Sequence, residues 1–147
     1  MDKTDVLVIG GSAAGIVAAT TGKSFHPEKD FLLIRREPQV IVPCGIPYIF
    51  GSLDNSAEDV IPDAILDKAE IRHQIGDVVS IDPGSKVCTT ADGNSIGFDK
   101  LILALGSTPT IPEWLPGTEL EHVFTIPKDK EYLDGMVKRL VRYSLLF

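Results

Sequence analysis

The sequence is poor in cysteine, in basic residues and in long apolar runs, and each shortage argues against a class of protein. Two cysteines, Cys44 and Cys88, are too few for a disulfide-stapled scaffold, and they fit a reducing, cytoplasmic setting. Acidic residues outnumber basic ones by 21 to 14, which gives a net charge of −7. Nucleic acids and anionic membrane surfaces select basic faces, so we expect neither as a partner.

Signals for other familiar sites are weak as well. The three histidines, His26, His73 and His122, are scattered without the spacing of metal ligands, so no metal site is predicted. In GGSAAG, two residues separate Ser12 from the next glycine, which does not fit a G-x-S-x-G nucleophile elbow. The first apolar run follows the net-negative leader MDKTD, whereas a secretory signal needs a positive one, and it is too short to span a bilayer securely.

Apolar patterns predict an α/β fold built on a parallel sheet that is covered on both faces. Buried strands are expected at Asp5–Ile9, Asp30–Arg35 and Lys100–Gly106, where β-branched and leucine-rich runs are bounded by turn residues. A helix of small residues over Ala13–Lys23 joins the first two strands. Strand, helix and strand within about 30 residues form a βαβ unit with a right-handed crossover.

Shorter elements are predicted in the middle and at the end of the chain. Pro47–Phe50 reads as a helical turn and Pro62–Ala69 as a short helix. Short strands separated by the turn sequences DPGS and ADGN predict an antiparallel meander over residues 77–98, packed against the parallel sheet. A helix is expected over Asp129–Tyr143, with one apolar face made of Met136, Val137, Leu140 and Val141.

A glycine-rich loop connects the first predicted strand to the first predicted helix. It consists of six small residues: Gly10, Gly11, Ser12, Ala13, Ala14 and Gly15. In the pattern G-x-G-x-x-G, Gly10 fits the tight turn and Gly15 the close packing of helix on sheet, while Ser12 replaces the middle glycine. Backbone N–H groups at a helix N-terminus still form a natural anion site, so the loop is predicted to bind a dinucleotide pyrophosphate.

The end of the second predicted strand departs from the dinucleotide-binding pattern. An acidic residue usually stands there and holds the adenosine ribose, but this strand ends in Arg35 and Arg36, with Glu37 slightly late. The two arginines are candidates to lie along the ribose or adenine or to neutralise phosphate. A solvated charge pair at a strand end is the alternative for either of them.

The stretch IVPCGIPYIFG fixes one cysteine between two prolines. Pro43 and Pro47 restrict the backbone around Cys44, and a helix beginning near Gly45 is expected to favour its thiolate. The residue five positions after Cys44 is Ile49, so an internal C-x-x-x-x-C disulfide is excluded. Cys44 is therefore a candidate redox cysteine, with a buried packing role as the alternative, whereas Cys88 is expected to be structural.

Three landmarks in order carry a family resemblance: VLVIGGSAAG, PCGIPYIFG and FDKLILALGSTP. Together they resemble the flavin-dependent pyridine nucleotide–disulfide oxidoreductases. The nearest group is the single-cysteine branch of NADH oxidases, NADH peroxidases and coenzyme A-disulfide reductases. The resemblance implies a Rossmann-like FAD-binding domain, with residues 1–110 as its N-terminal part. It implies that residues 111–147 are a connecting loop and helix leading towards a nicotinamide-binding domain.

The same resemblance assigns roles to individual residues. FAD is the implied cofactor, NAD(P)H is the implied co-substrate of a complete enzyme, and Cys44 is the catalytic residue beside the flavin. The glycine loop would receive the pyrophosphate, and the backbone near Val78 would lie by the adenine. The implied cofactor contacts also include Pro43, Cys44, Ala104, Leu105 and Gly106, with Leu105 in place of a threonine that the family has in this turn.

The expected function is reduction of a small redox substrate with electrons from NAD(P)H. Coenzyme A disulfide, polysulfide, peroxide and oxygen all remain open as the electron acceptor. The competing interpretation is a catalytically inactive nucleotide-binding module or partner subunit, because no second glycine loop follows residue 110. A homodimer, or association with a chain that supplies the further domains, is expected for activity.

Overall fold

The structure, a computed structural model, describes residues 1–144. Within these residues, six strands and four α-helices follow one another: β1 (Asp2–Ile9), α1 (Ala13–Phe25), β2 (Phe31–Arg35), α2 (Ile46–Ile49), α3 (Ala64–Lys68), β3 (Arg72–Ile75), β4 (Val78–Asp82), β5 (Val87–Thr90), β6 (Ser95–Leu103) and α4 (Lys130–Ser144). A 3-10 helix, Ser56–Asp59, lies between α2 and α3. None of the helices described here has the length and apolarity needed to cross a membrane.

All six strands belong to one sheet in the order β3-β2-β1-β6-β5-β4. The first four strands of that order are parallel, and β5 and β4 continue the sheet in antiparallel pairing. The predicted parallel core and the predicted meander are therefore both confirmed. One prediction is corrected: the segments around 95–99 and 100–106 form a single strand that ends at Leu103, because β1 pairs with it from Ile96 onward.

Each face of the parallel sheet is covered by a separate apolar cluster, as predicted. On one face α1 and α3 contribute Ile16, Ala19 and Leu66, which pack on Val8 and Leu33. On the other face, Cys88 of β5 joins a cluster with the buried residues Leu7, Ile9, Leu32, Ile34, Ile96 and Phe98, and side chains of β4 pack against it. Cys88 is fully buried, and burial raises the pKa of its thiol, in keeping with the structural role expected for it.

A third cluster joins α4 to the loop that carries Cys44. Leu133 of α4 is fully buried against Ile41, Ile46 and Ile49. Met136 and Val137 also pack there, as predicted, because residues three and four apart share one helix face. Leu140, predicted for the same face, is 38% exposed. The side chain of Val141, the fourth predicted member of the face, lies outside the described residues.

Leu133→Ala is expected to lower the free energy of unfolding by about 3 kcal/mol, since it leaves a cavity between α4 and the Cys44 loop. Urea denaturation followed by far-UV circular dichroism measures the loss. Leu140→Ala is the matched control on the same helix, and it should change stability by less than about 0.5 kcal/mol because its side chain is partly solvated. Equal losses for the two variants would contradict this packing.

Candidate functional site

The glycine loop, the end of β2 and the end of β6 meet at the carboxyl edge of the parallel strands. The N–H of Gly10 donates to the carbonyl of Ile34 over 2.8 Å, and the N–H of Ala104 donates to the carbonyl of Ile9 over 2.8 Å. Carboxyl ends of parallel strands are the usual location of ligand sites in sheets of this type. The register of the sheet thus brings together three segments that are distant in sequence.

Two glycines of the loop are required by close backbone contacts. A Cβ on Gly10 would lie 2.1 Å from the carbonyl oxygen of Ala104, and the φ of Gly10 is +111°. A Cβ on Gly15 would lie 1.8 Å from the carbonyl oxygen of Gly10. These are the tight turn and the close helix packing that the spacing predicted.

The rest of the loop is open to a ligand. Ser12 is the N-cap residue of α1, but its hydroxyl does not cap the helix. Ala13 and Ala14 are exposed in the first turn, so small side chains surround the N-terminus of a 13-residue helix. This arrangement leaves room and backbone N–H groups for an anion.

Arg35 is buried and makes an ion pair, although it was predicted as a cofactor contact. Its two terminal nitrogens lie 2.7 and 2.8 Å from the two carboxylate oxygens of Asp63. Its Nε donates to the carbonyl of Glu37, and a Cβ on Gly11 would lie 2.5 Å from Arg35 Cδ. The methylene chain of Arg35 therefore borders the glycine loop, while its guanidinium faces away towards α3.

Arg36 and the segment that leads to Val78 both adjoin the end of β2. The side chain of Arg36 is 72% exposed and pairs with the Glu37 carboxylate over 3.0 Å, which raises the pKa of the guanidinium. Val78 begins β4, and the preceding Gly76 donates its N–H to the carbonyl of Arg35 over 2.8 Å. The segment before Val78 is thereby joined to the end of β2.

The turn after β6 completes this edge. Ala104 contacts both Gly10 and Gly15, whereas Leu105 is 67% exposed. Gly106 has a φ of +71°, which glycine adopts without strain. Leu105 thus presents a large apolar side chain at the position next to the loop junction.

Cys44 lies in the loop between β2 and α2 and is an exposed, free thiol. Gly45, the N-cap residue of α2, donates its N–H to the carbonyl of Val42 over 2.8 Å. Ile41 forms an isolated bridge with Val60, so a second chain segment holds the strand-like start of the loop. Pro43 is half-buried between these two fixed points. The loop is therefore held on both sides of the sulfur, as the two prolines suggested.

The G-x-S-x-G pattern does occur once, at Gly93–Gly97, and the sequence interpretation overlooked it. The structure places Ser95 at the start of β6, paired with Thr89 of β5. A nucleophile elbow requires a strand-to-helix turn, so this match is a hairpin and not a hydrolase site.

One protein family matches almost the whole chain. The model of the family described as "Pyridine nucleotide-disulphide oxidoreductase" matches residues 4–142. This chain belongs to that family. The recognition made from the three sequence landmarks is confirmed. Members of the family use FAD and NAD(P)H.

Curated relatives of this oxidoreductase chain are longer proteins. It is 32% identical over 143 residues to the CoA-dependent NAD(P)H sulfur oxidoreductase of Pyrococcus abyssi, an alignment that covers 90% of this chain and 32% of that protein. It is 30% identical over 129 residues to the NADH oxidase of Methanocaldococcus jannaschii, covering 82% of this chain and 29% of that protein. The chain thus spans about a third of the length of these relatives.

Solved structures support the fold of the oxidoreductase chain. The NAD-dependent persulfide reductase from A. fulgidus superposes with a TM-score of 0.81 at 23% identity, over 94% of this chain and 28% of that one. At that identity the likeness establishes the fold. The predicted Rossmann-like α/β class is therefore confirmed.

Asp63, which sequence reasoning did not single out, is the residue that fixes the Arg35 guanidinium. Its hydrogen bonds from Arg35 hold the pKa of its carboxyl below the usual range. The pair joins the end of β2 to the start of α3. No local signal could have identified it, because the partners are joined only by the folding of α3 against β2.

Asp63→Asn is expected to lower the free energy of unfolding by about 2 kcal/mol at pH 7, because it leaves the buried Arg35 guanidinium without its carboxylate partner. The loss is limited because the Asp63 side chain is itself partly solvated. A depressed carboxyl pKa stabilises the folded state above the ordinary carboxyl range, and this stabilisation is lost as the pH falls through the folded-state pKa. The difference between variant and wild type should therefore shrink towards pH 3.

Urea denaturation at pH 7 and pH 3 tests this expectation. Asp67→Asn is the matched control on the same helix, since Asp67 is exposed and lies 3.5 Å from His73 Nε2. It should change stability by less than about 0.5 kcal/mol. A loss for Asp63→Asn that is the same at both pH values would show that the ion pair is not its cause.

Proposed function

We propose that this chain is the FAD-binding portion of an NAD(P)H-dependent flavoprotein oxidoreductase that reduces a disulfide, peroxide or oxygen through flavin and the single redox cysteine Cys44. Residues 1–110 would form the N-terminal part of the FAD-binding domain. Residues 111–147 would form the connecting loop and helix that lead towards a nicotinamide-binding domain. The observation that carries the proposal is the three-way contact of Gly10, Gly15 and Ala104 at the carboxyl edge of the sheet.

The glycine loop fits the pyrophosphate of FAD. Gly10 and Gly15 remove the side chains that would separate the loop from β6, and Gly11 does the same towards Arg35. Ser12, Ala13 and Ala14 surround the N-terminus of α1, where backbone N–H groups favour negative charge. When bound, FAD supplies two-electron hydride chemistry, and the protein supplies orientation and the sulfur.

The adenosine half would be bound without the usual acidic residue. Arg35 borders the loop through its methylene chain, and its charge is satisfied by Asp63. Arg36 is exposed and offers a cation at the same strand end, and the backbone before Val78 runs beside it. We infer that Arg36 and the Val78 segment line the ribose and adenine, with Ala104, Leu105 and Gly106 on the opposite side of the loop.

Cys44 would supply the nucleophilic sulfur. Its exposure permits a small disulfide or peroxide to approach, and the restrained loop with Pro43 keeps the sulfur in one place. A thiolate at this position attacks one sulfur of a disulfide, forms a mixed disulfide and releases the other sulfur as a thiolate. The reaction class matches the sulfur, persulfide and coenzyme A chemistry in the names of the relatives.

The complete protein would act in the cytoplasm together with further domains. A reducing cytoplasm suits a free, exposed thiol. NAD(P)H turnover would use a nicotinamide-binding portion like that of the longer relatives, and a homodimer or an associating chain would be the partner. The acceptor is proposed only as a class: a small disulfide, polysulfide, peroxide or oxygen.

Flavin binding is the test that separates this proposal from an inactive nucleotide-binding module. The purified protein should be yellow, or should become so when titrated with FAD, with quenching of flavin fluorescence on binding. Titration with ADP is the matched comparison, because it shares the pyrophosphate but lacks the flavin. Protein that stays colourless and binds ADP but not FAD would refute the flavoprotein assignment.

A further inference from the structure

A lysine lies beside the turn that completes the carboxyl edge of the sheet. The Nζ atom of Lys128 donates to the Ser107 hydroxyl over 3.3 Å. It also lies 3.8 Å from the position that a Cβ on Gly106 would take, so the ammonium stands against the backbone of this turn. Ala104, which contacts the glycine loop, is two residues before Gly106, and two residues span at most about 7 Å. The ammonium of Lys128 therefore lies at the same edge of the sheet as the glycine loop.

The charge of Lys128 is not used by a carboxylate of the described residues. Three other cations near this edge are held in ion pairs: Arg35–Asp63, Arg36–Glu37 and Lys130–Asp134. Lys128 is exposed and forms no ion pair within residues 1–144. Its neighbour in sequence, Asp129, accepts the N–H of Tyr132 over 2.9 Å in the first turn of α4. The ammonium of Lys128 is therefore free to neutralise an anion at this edge.

Ser107 and Lys128 lie near the two ends of the irregular segment that joins β6 to α4. Their hydrogen bond closes this segment at its base, because it connects the turn after β6 to the residues just before α4. A hydroxyl that accepts a hydrogen bond from an ammonium still has its own O–H to donate. The pair thus offers two donors, one of them charged, to a single anion.

We propose that Ser107 and Lys128 form an anion site at the base of the β6–α4 segment, which binds a phosphate of the dinucleotide held by the glycine loop and thereby fixes the start of α4. The inference rests on the proposed function, because it extends the FAD site from the loop to this pair. The six residues of the glycine loop carry no charged side chain, so the loop offers a phosphate its backbone N–H groups and the α1 dipole. Lys128 adds a full positive charge, and an ammonium binds phosphate as a point charge without a fixed orientation.

Calorimetric titration of the 147-residue chain with ADP and with FAD tests the charge. Lys128→Gln should weaken the binding of both ligands about tenfold, because a charge-assisted contact to phosphate is lost. The affinity of the wild type should also fall more steeply with rising salt than that of the variant, because salt screens contacts between charges. Lys128→Arg keeps the charge and should stay within about threefold of the wild type. Lys138→Gln is the matched control, since it removes an exposed lysine further along α4 and should change the affinity by less than about twofold.

Hydrogen exchange tests whether the ligand fixes the segment. Saturating ADP should slow amide exchange in residues 107–129 of the wild type, as well as in the glycine loop. Lys128→Gln, saturated with ADP, should keep the protection of the loop and lose that of residues 107–129. Ser107→Ala keeps the charge but removes the hydroxyl, and it should lose part of this protection.

The outcomes separate this site from the flavoprotein assignment. Equal ADP and FAD affinities for wild type and Lys128→Gln, or equal protection of residues 107–129, would overturn the anion site and leave FAD binding by the wild type intact. Weaker ADP binding in Lys128→Gln, in a wild type that does not bind FAD, would support the site and refute the flavin. A wild type that binds neither ligand would overturn both.

Discussion

Gly10→Val is expected to abolish FAD binding, with a loss in affinity of at least about a hundredfold. The new Cβ would have to lie 2.1 Å from the carbonyl oxygen of Ala104, and a β-branched residue is strongly disfavoured at a φ of +111°. The turn must therefore open, which separates the loop from the end of β6. Titration with FAD, followed by flavin fluorescence, measures the effect.

Gly51→Val provides the matched control for Gly10→Val. Gly51 follows α2, and no atom lies within 4 Å of the position that a Cβ would take. This variant should bind FAD with wild-type affinity. Wild-type affinity in Gly10→Val would show that the glycine loop is not the pyrophosphate site.

Ala13→Glu separates loss of binding from loss of folding in the same loop. Ala13 is exposed in the first turn of α1, where a carboxylate is favourable to the helix and unfavourable to a bound phosphate. The thermal midpoint should be unchanged or slightly higher, while FAD affinity should fall at least about tenfold. Retention of affinity here would contradict the loop assignment even if Gly10→Val simply unfolds.

Cys44→Ser is expected to lower disulfide reduction at least about a thousandfold while FAD stays bound. The binding groups proposed for FAD belong mainly to the glycine loop and the end of β6, and the sulfur is not needed for them. Chemistry requires a thiolate, and a serine hydroxyl ionises far too weakly to replace it. Reaction of the reduced cofactor with oxygen should persist and yield peroxide, because that step can bypass the sulfur.

The measurement mixes anaerobically reduced, FAD-loaded protein with a small disulfide and follows the recovery of flavin absorbance. Cys88→Ala is the control, because Cys88 is buried in the hairpin cluster and away from solvent. It should lower stability by about 1 kcal/mol without changing the rate of reoxidation. If Cys44→Ser is reoxidised by disulfide as fast as the wild type, Cys44 is a packed residue and the proposed mechanism fails.

The sheet and the glycine loop could be predicted because their signals are local. Runs such as DVLVI and DFLLIR identify buried parallel strands without any partner, and the spacing of Gly10 and Gly15 specifies a strand-to-helix turn. The bounds of β6 could not be predicted from such local signals. The predicted meander ended at residue 98 and the predicted parallel strand began at Lys100, whereas pairing with β1 carries one strand through both segments.

The partners of individual charged groups could not be read from the sequence. Arg35 reads equally well as a ligand contact or as half of an ion pair, and the choice depends on Asp63, which arrives through α3. Asp59 sits in a polar stretch with no motif, and its burial results from the packing of α4 and α2 around the 3-10 helix. Tertiary packing decides both cases, so propensity and spacing carry no information about them.

The pairing of β1 with β6 has a consequence for the order in which the molecule assembles. The register joins Asp2 to Ile96 and Ile9 to Leu103, so the central strand β1 acquires one of its two neighbours only after the residues up to Leu103 have been synthesised. Bringing β6 to β1 closes a long loop, which is slow. Until then β1 and β2 form a pair in which the β6-facing edge of β1 is unpaired. The Gly10 turn, which depends on Ala104, is then among the last features to reach its native geometry. Nascent chains shorter than this point should expose a hydrophobic strand edge to chaperones and should be unable to retain a flavin.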